Sequence, residues 1–342
     1  MEKIGIIFSL DEEYIKETIL FLYLESLRKN RKIEFFGIKW DGREILKIDI
    51  KKFDVEKINT SSLTDFEKSM VLNLPVKEEI SLHKRISSFL KEKGIFQLNP
   101  FSSSFKADDK FFTLSKLKKK GIKVPESIIL KEKNFREILQ IVGKFLAERN
   151  IRNFYIQPNY GTEGRLTYYF TIEDFFKKKE LIVDCISHIL QSQPVILKEK
   201  RGNVFFYENG EFKQAVFRIF LWKFTDEIDI DYGFVEIAHS SQIPITSPEK
   251  GGKILPFRDV FQNLYFKNGK NFEKLSLKEN DLEMVKEEIL NLYKSFNSRL
   301  KEKLNLMGID FVLEVIGKEI YPVFLEINPR PWGFNKLSKF NN

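Results

Sequence analysis

The chain has 342 residues, 42% of them hydrophobic, with 34 Phe and a formal net charge of +8. That apolar content excludes a disordered chain, and the length exceeds one small core, so two or three subdomains are expected. A single cysteine, Cys185, excludes an intramolecular disulfide.

No run approaches the roughly 18 apolar residues that read as a membrane span. Met1 to Ile6 begins as a charged strand with no signal-peptide pattern, so a soluble, cytoplasmic protein without membrane partners is expected. Much of the lysine lies among glutamates, as in Lys286-Glu287-Glu288 and Lys301-Glu302-Lys303. This describes a solvated surface better than a nucleic-acid-binding face.

In chain order, residues 3–9 read as a buried strand and residues 12–29 as an amphipathic helix. Residues 33–40 and 44–50 read as strands joined by the turn signal Asp41-Gly42. Met70 to Pro75 reads as a short strand, and a helix follows at 78–93, closed by Gly94. This order predicts an open α/β domain over about the first hundred residues. Ser9-Leu10-Asp11 after the first strand lacks glycine, which argues against a dinucleotide-binding Rossmann fingerprint.

Asn99 to Ser104 reads as a linker, and the following helix carries Ala107-Asp108-Asp109-Lys110 and ends at Gly121. Next come a strand at 127–130, a helix at 134–149 and a strand at 153–158. A turn at Asn159 to Arg165 leads to a strand at 166–170, a helix at 172–191 and a strand at 195–199. From Asn203 to Ala238 the pattern is β, with long strands at 212–223 and 232–239. Residues 240–257, rich in Ser, Pro and Gly, read as a functional loop. A long amphipathic helix is predicted from about Leu277 to Leu306.

The C-terminal stretch reads as a β-hairpin, with two β-branched runs around Gly317-Lys318-Glu319. Glu326 and Asn328, two residues apart, share one face of the second strand. If the turn has three residues, Asp310 falls opposite Glu326; a two-residue turn breaks that pairing by one register step. Two carboxylates and an amide oxygen, with no His or Cys among them, suit a hard cation such as Mg2+.

The ordered set is Asp109-Lys110, Gly161 and Gly164 between two strands, Glu199-Lys200 at a strand end, Gly251-Gly252, and Glu326-Ile327-Asn328-Pro329-Arg330-Pro331. It resembles the ATP-grasp superfamily, over residues 1–335, and looks closest to its carboxylate–amine ligases, including an endospore coat-associated branch. The resemblance implies an α/β (α+β) fold. An N-terminal domain would span 1–105, a small lid subdomain 106–195 and a large subdomain 196–342, the last two clamping a nucleotide.

It further implies ATP and Mg2+, and a ligase that joins a carboxylate, small-molecule or peptide, to an amine through an acylphosphate. Oligomeric state is left open, a homodimer included. Lys110, Gln157, Gly161, Gly164, Arg165, Lys198, Glu199 and Lys200 are the implied nucleotide-binding residues, the last two through backbone contacts to adenine. Arg218 and Arg330 are placed for the acylphosphate, and Asp310, Glu326 and Asn328 for the metal. One position departs from the pattern: where the superfamily carries Lys before Pro, this chain has Gln157-Pro158, with Arg165 or Lys198 as candidate substitutes. That departure keeps a nucleotide-binding protein without ligation as an alternative, and a kinase on the same fold is a second. His83, His188 and His239 show no metal spacing.

Overall fold

The computed structural model describes residues 2–8, 12–40, 44–49, 54–66, 68–71, 77–131, 134–161, 164–224 and 226–330. The first unit runs Glu2–Phe8 (β1), Glu12–Arg28 (α1), Ile33–Trp40 (β2), Ile45–Asp49 (β3), Asp54–Ile58 (β4), Lys68–Val71 (β5), Lys77–Glu92 (α2) and Phe96–Gln97 (β6). These strands form one sheet in the order β4-β3-β2-β1-β5-β6, parallel from β2 to β6. Ile4, Ile6 and Ile7 of β1 are fully buried, as suits a parallel strand covered on both faces. The edge strand β4 escapes sequence reading because Asp54-Val55-Glu56-Lys57 is exposed and has little apolar content to mark it. The expected Asp41-Gly42 turn lies outside the described residues.

The second unit runs Phe101–Asp108 (α3), Lys110–Lys118 (α4), Ser127–Leu130 (β7), Phe135–Glu148 (α5), Asn153–Pro158 (β8), Tyr168–Thr171 (β9), Ile172–Lys177 (α6), Lys179–Leu190 (α7) and Val195–Glu199 (β10). Its four strands make an antiparallel sheet, β7-β10-β8-β9, packed on α5 and α7 through Ile138, Val142, Phe154 and Ile186. The expected linker at 99–104 is largely helical. Pro100 caps α3, and the Ser103 hydroxyl returns to the Pro100 carbonyl at 3.1 Å. The chain breaks at Asp109, whose carboxylate caps the second helix by accepting from Phe112 N–H at 2.8 Å.

The third unit runs Val204–Glu208 (β11), Glu211–Trp222 (β12), Asp229–Ile237 (β13), Lys253–Pro256 (β14), Phe257–Val260 (α8), Leu264–Asn268 (β15), Asn271–Lys274 (β16), Glu279–Asn297 (α9), Leu306–Ile316 (β17) and Glu319–Asn328 (β18). All eight strands belong to one sheet, and β12 pairs with β11, β13 and β17. The long helix ends at Asn297; Leu300 and Leu304 are buried beyond it, so the apolar spacing overran the helix.

Two expected boundaries move. Strand β10 belongs to the four-stranded sheet, so a division after residue 195 cuts through it. Leu114, Leu117, Ile122 and Val124 pack in the core of the large sheet, so the stretch after 106 is not part of the small sheet's core. On the other side, Phe220, Trp222 and Phe234 of the large sheet join the core of the N-terminal sheet.

The hairpin reaches its expected pairing by another route. Its turn has two residues, since Ile316 faces Glu319. A register shift between Asp310 and Phe311 then leaves Leu325 as an extra residue, and Asp310 faces Glu326 after all. A β-bulge thus supplies the step that the shorter turn removed, re-aiming the side chains beyond it.

Candidate active site

A cavity of about 280 Å³ lies between the small sheet and the large one. The small sheet contributes one face. Gln157 faces Ile196 and Tyr155 faces Lys198 across β8 and β10, so Tyr155, Gln157 and Lys198 point the same way, and all three line the cavity. The large sheet contributes Val216 and Arg218 of β12, Glu236 of β13, Asp310 of β17, and Glu326 and Asn328 of β18.

Asp310, Glu326 and Asn328 are brought together. Asp310 faces Glu326 directly, and Asn328 Nδ2 donates to Asp310 Oδ2 at 3.1 Å, leaving its own carbonyl oxygen available. Arg218 faces Asp310 across β12 and β17 and grips it with two hydrogen bonds, Nε to Oδ1 at 2.6 Å and Nη2 to Oδ2 at 2.5 Å. Burial pushes the Asp310 carboxyl up while Arg218 opposes it. Burial also pushes Glu326 up, but Lys110, Lys198 and Arg218 outweigh it and hold Glu326 well below the usual carboxylate range. The two acids titrate as a pair, with Glu326 the member that stays ionised. This set of hard oxygens with a retained negative charge fits Mg2+.

Lys110 opens α4 and is buried. Its Nζ donates to the Gly161 carbonyl at 2.6 Å and lies 3.6 Å from Glu326 Oε2, linking the glycine loop to the acidic hairpin. Asn159, which sequence reasoning passed over, holds this corner. It is buried, its Oδ1 accepts Phe111 N–H at 2.9 Å, its Nδ2 donates to Asp109 Oδ1 at 3.0 Å, and its carbonyl accepts Lys110 N–H at 3.2 Å.

Gly164 has φ +67°, and a side chain there would come within 2.9 Å of Ser247 Cβ, so this turn needs glycine for both conformation and space. Arg165 is largely exposed and pairs with Glu249 at 3.3 Å across the cavity mouth. Tyr155 donates its hydroxyl to the Pro244 carbonyl at 2.8 Å. The small sheet is therefore tied to the 240–257 stretch at several points.

Lys198 lines the cavity, buried, and burial lowers its pKa to about 8 against the attraction of Glu326. Gln157 is buried beside it, and its Nε2 has no hydrogen-bond partner among the described residues. A buried donor without a partner is costly. A phosphate oxygen would satisfy it, and this orphan together with the adjoining lysines fits a nucleotide.

The adenine expectation narrows, since Glu199 lines the cavity and Lys200 does not. Glu199 N–H already donates to the Glu126 carbonyl and Lys200 N–H to the Asn153 carbonyl, at 2.8 and 2.9 Å, so neither is available to a base. The Lys200 ammonium lies away from the cavity, over the Phe205 ring at 4.9 Å, with burial lowering its pKa to about 8. The Glu199 side chain accepts from Glu126 N–H at 3.1 Å and faces Arg201 at 3.6 Å.

Arg330 also lines the cavity. It pairs with Asp108 at the end of α3 and reaches His83 Nδ1 on α2 at 3.4 Å. Burial, and then Arg330, push the His83 pKa down, so this imidazole is neutral at pH 7. The missed Glu236 carries the same signal that singled out Arg218, a charge inside an apolar strand, here Phe234-Val235-Glu236-Ile237.

No protein-family model and no curated protein matches the sequence. Solved structures do. VanG, a D-Ala:D-Ser ligase from Enterococcus faecalis, aligns over 98% of this chain and 91% of its own with a TM-score of 0.56 at 14% identity. D-cycloserine synthetase DcsG aligns over 98% and 94% with a TM-score of 0.56 at 15% identity. The ATP-grasp ligase PsnB, complexed with a minimal precursor, aligns over 97% and 92% with a TM-score of 0.50 at 13% identity. The chain has the ATP-grasp fold. Among its described residues, no helix is long and apolar enough to cross a membrane.

Proposed function

We propose that this chain is an ATP- and Mg2+-dependent ligase that joins a carboxylate to an amine. One observation carries the reading. In a single cavity, Lys110, Lys198 and Arg218 converge on a facing pair of carboxylates, Asp310 and Glu326, with Asn328 beside them and Arg330 also on the wall. ATP would be a substrate. The substrate carboxylate oxygen attacks the γ-phosphorus, a C–O–P link forms, and the bond to the β-phosphate oxygen breaks to release ADP. The amine nitrogen then attacks the acyl carbon, phosphate leaves and the nitrogen loses its proton.

The side chains divide this work. Lys110 and Lys198 offset phosphate charge, and the Gln157 amide donates where the resemblance implies a lysine. Gly161 and Gly164, both lining the cavity, would let their backbone approach the phosphates closely. Arg218 gives two N–H groups to Asp310 and has three more, in a buried site where each counts for more than in water. Arg330, anchored by Asp108, supplies a second fixed cation. Mg2+ held by Asp310, Glu326 and Asn328 would neutralise charge on the transferring phosphoryl group.

Gln157 supports a second reading, nucleotide binding without ligation, because an amide brings no charge to the phosphates. The test is ATP turnover over a panel of carboxylates with hydroxylamine as the amine. ADP together with a hydroxamate supports the ligase. A stable phosphorylated carboxylate points to a kinase, and ATP binding without ADP across the panel favours the second reading.

A further inference from the structure

The ligase reading leaves the substrates unnamed, but the charges in the cavity constrain one of them. Almost every charged side chain lining the cavity is matched by a described residue. Lys110 meets Glu326, Arg218 meets Asp310, and the rim residues and Arg330 are likewise in ion pairs. Two are left over: Lys198 on the small sheet and Glu236 on the large one, neither of which makes an ion pair with a described residue.

Lys198 adjoins the orphaned Gln157 amide and is accounted for by a phosphate. Glu236 is not accounted for by anything in the proposed chemistry. Among the described residues, its side chain has one hydrogen bond, from the Thr246 hydroxyl at 3.3 Å. It is partly buried, and it acts on both Arg218 and Asp310 through space.

Its place in the sheet is informative. Glu236 faces Val216 across β12 and β13, while Arg218 sits two residues further along β12 and faces Asp310 on the other flank. Glu236 therefore shares the cavity face with Arg218 as its diagonal neighbour, one strand over and one pleat repeat along, roughly 7–8 Å away on the side away from the acidic hairpin. An anionic ligand is repelled there. A hydroxyl gains an ordinary hydrogen bond, whereas an ammonium or guanidinium gains a charge-assisted one in a partly desolvated site.

We infer that Glu236 binds a positively charged nitrogen of one of the two substrates. This rests on the ligase reading and names a substrate class within it. The molecule carries an ammonium or guanidinium roughly one pleat repeat from the end held at Arg218, as an amino acid or an amino-bearing peptide end does. Glu236 is a specificity residue in this account and takes no part in bond making.

The experiment uses the full chain with Mg2+ and a non-hydrolysable ATP analogue, with the cations putrescine and agmatine and the neutral 1,4-butanediol as probes. Ligand-observed NMR saturation transfer is recorded for the native protein and for Glu236→Gln. The expected result is transfer to both cations in the native protein, at least a fivefold loss in Glu236→Gln, and none to butanediol in either. Nucleotide affinity stays within twofold.

Three results overturn the inference: no transfer to the cations in the native protein, equal transfer in both proteins, or a tenfold loss of nucleotide affinity in Glu236→Gln. The last would give this carboxylate to the ribose hydroxyls instead. Failure of the native protein to bind the nucleotide analogue would count against the ligase reading, and the probe comparison is then read on the nucleotide-free protein.

Discussion

The two walls of the cavity are built differently. On the large-sheet wall near the hairpin, Arg218, Asp310, Asn328, Glu326 and Lys110 hold one another in a chain of contacts. On the small-sheet wall, among the described residues, Gln157 Nε2 has no partner and the buried Lys198 has no ion pair. The first wall is set before any ligand arrives. The second carries an electrostatic deficit that an anionic ligand relieves. In the proposed ligase, such a site would hold the metal and acyl chemistry in fixed geometry and leave its unsatisfied groups to bind phosphate.

The largest effect is expected from Glu326→Gln, which removes a metal oxygen and the charge facing Lys110. Mg2+-dependent ADP formation should fall on the order of a thousandfold, or several kcal/mol of barrier. The protein should still melt cooperatively. Full turnover in this variant would show that the metal lies elsewhere.

Next is Asp310→Ala, which takes from the buried Arg218 guanidinium its hydrogen-bonded partner. Breaking one partner of a buried pair costs about 3–5 kcal/mol. Urea unfolding measures this, and a loss below about 1 kcal/mol would mean that the paired wall is not preorganised.

Gln157→Lys addresses the other wall. One added charge-assisted contact should tighten ATP about tenfold. The free protein should become less stable, because the new ammonium lies on the same sheet face as Lys198. Unchanged ATP affinity in a folded variant would remove position 157 from the phosphate site.

Lys198 predicts a pH dependence. Its folded pKa, near 8, is below the ordinary 10.5. Between those values the unfolded chain holds a proton that the folded chain has released, so stability rises with pH across that window. Lys200, shifted the same way, adds to the slope. ATP affinity moves oppositely, weakening as pH rises through 8, and only Lys198 lines the cavity. Lys198→Arg should therefore flatten the binding profile, which isothermal titration between pH 7 and about 9 can read. A profile still falling in that variant would point to another group.

The smallest effect is expected from Arg165→Ala. Its bond to Glu249 joins two largely exposed side chains, and such pairs contribute about 0–1 kcal/mol. Stability should barely change and ATP affinity should drop less than threefold; a larger loss would make the rim part of the binding wall.

Several elements were legible because each carries its own local signal. The buried strand 195–199 and the hairpin 306–328 have β-branched runs, whereas the helix expected to run through Ala107 to Lys110 is broken at Asp109, a cap the reading did not use. The serine-rich stretch before it read as a linker because its helix is held by hydroxyls that bond locally and by burial, neither of which shows in composition. Glu199 and Lys200 were expected to meet adenine through backbone atoms; that their N–H groups are committed to Glu126 and Asn153 is a long-range fact that no local pattern records. Glu236 went unnoticed although its strand carried the signal that flagged Arg218.

By itself the sequence determined which side chains carry charge at each strand end, and which alternate residues share a face, because the pleat has a period of two. Placing Glu326 and Asn328 on one face, with Asp310 as a candidate third oxygen from the other strand, needed no more than that. Tertiary structure alone decided the register that unites them, since a two-residue turn and a bulge at Leu325 cancel over the length of the hairpin. It also decided which charges are spent and which are free. Ion pairing depends on strands far apart in the chain coming into contact, and no local pattern records that Arg218 meets Asp310 while Lys198 and Glu236 are left facing the cavity.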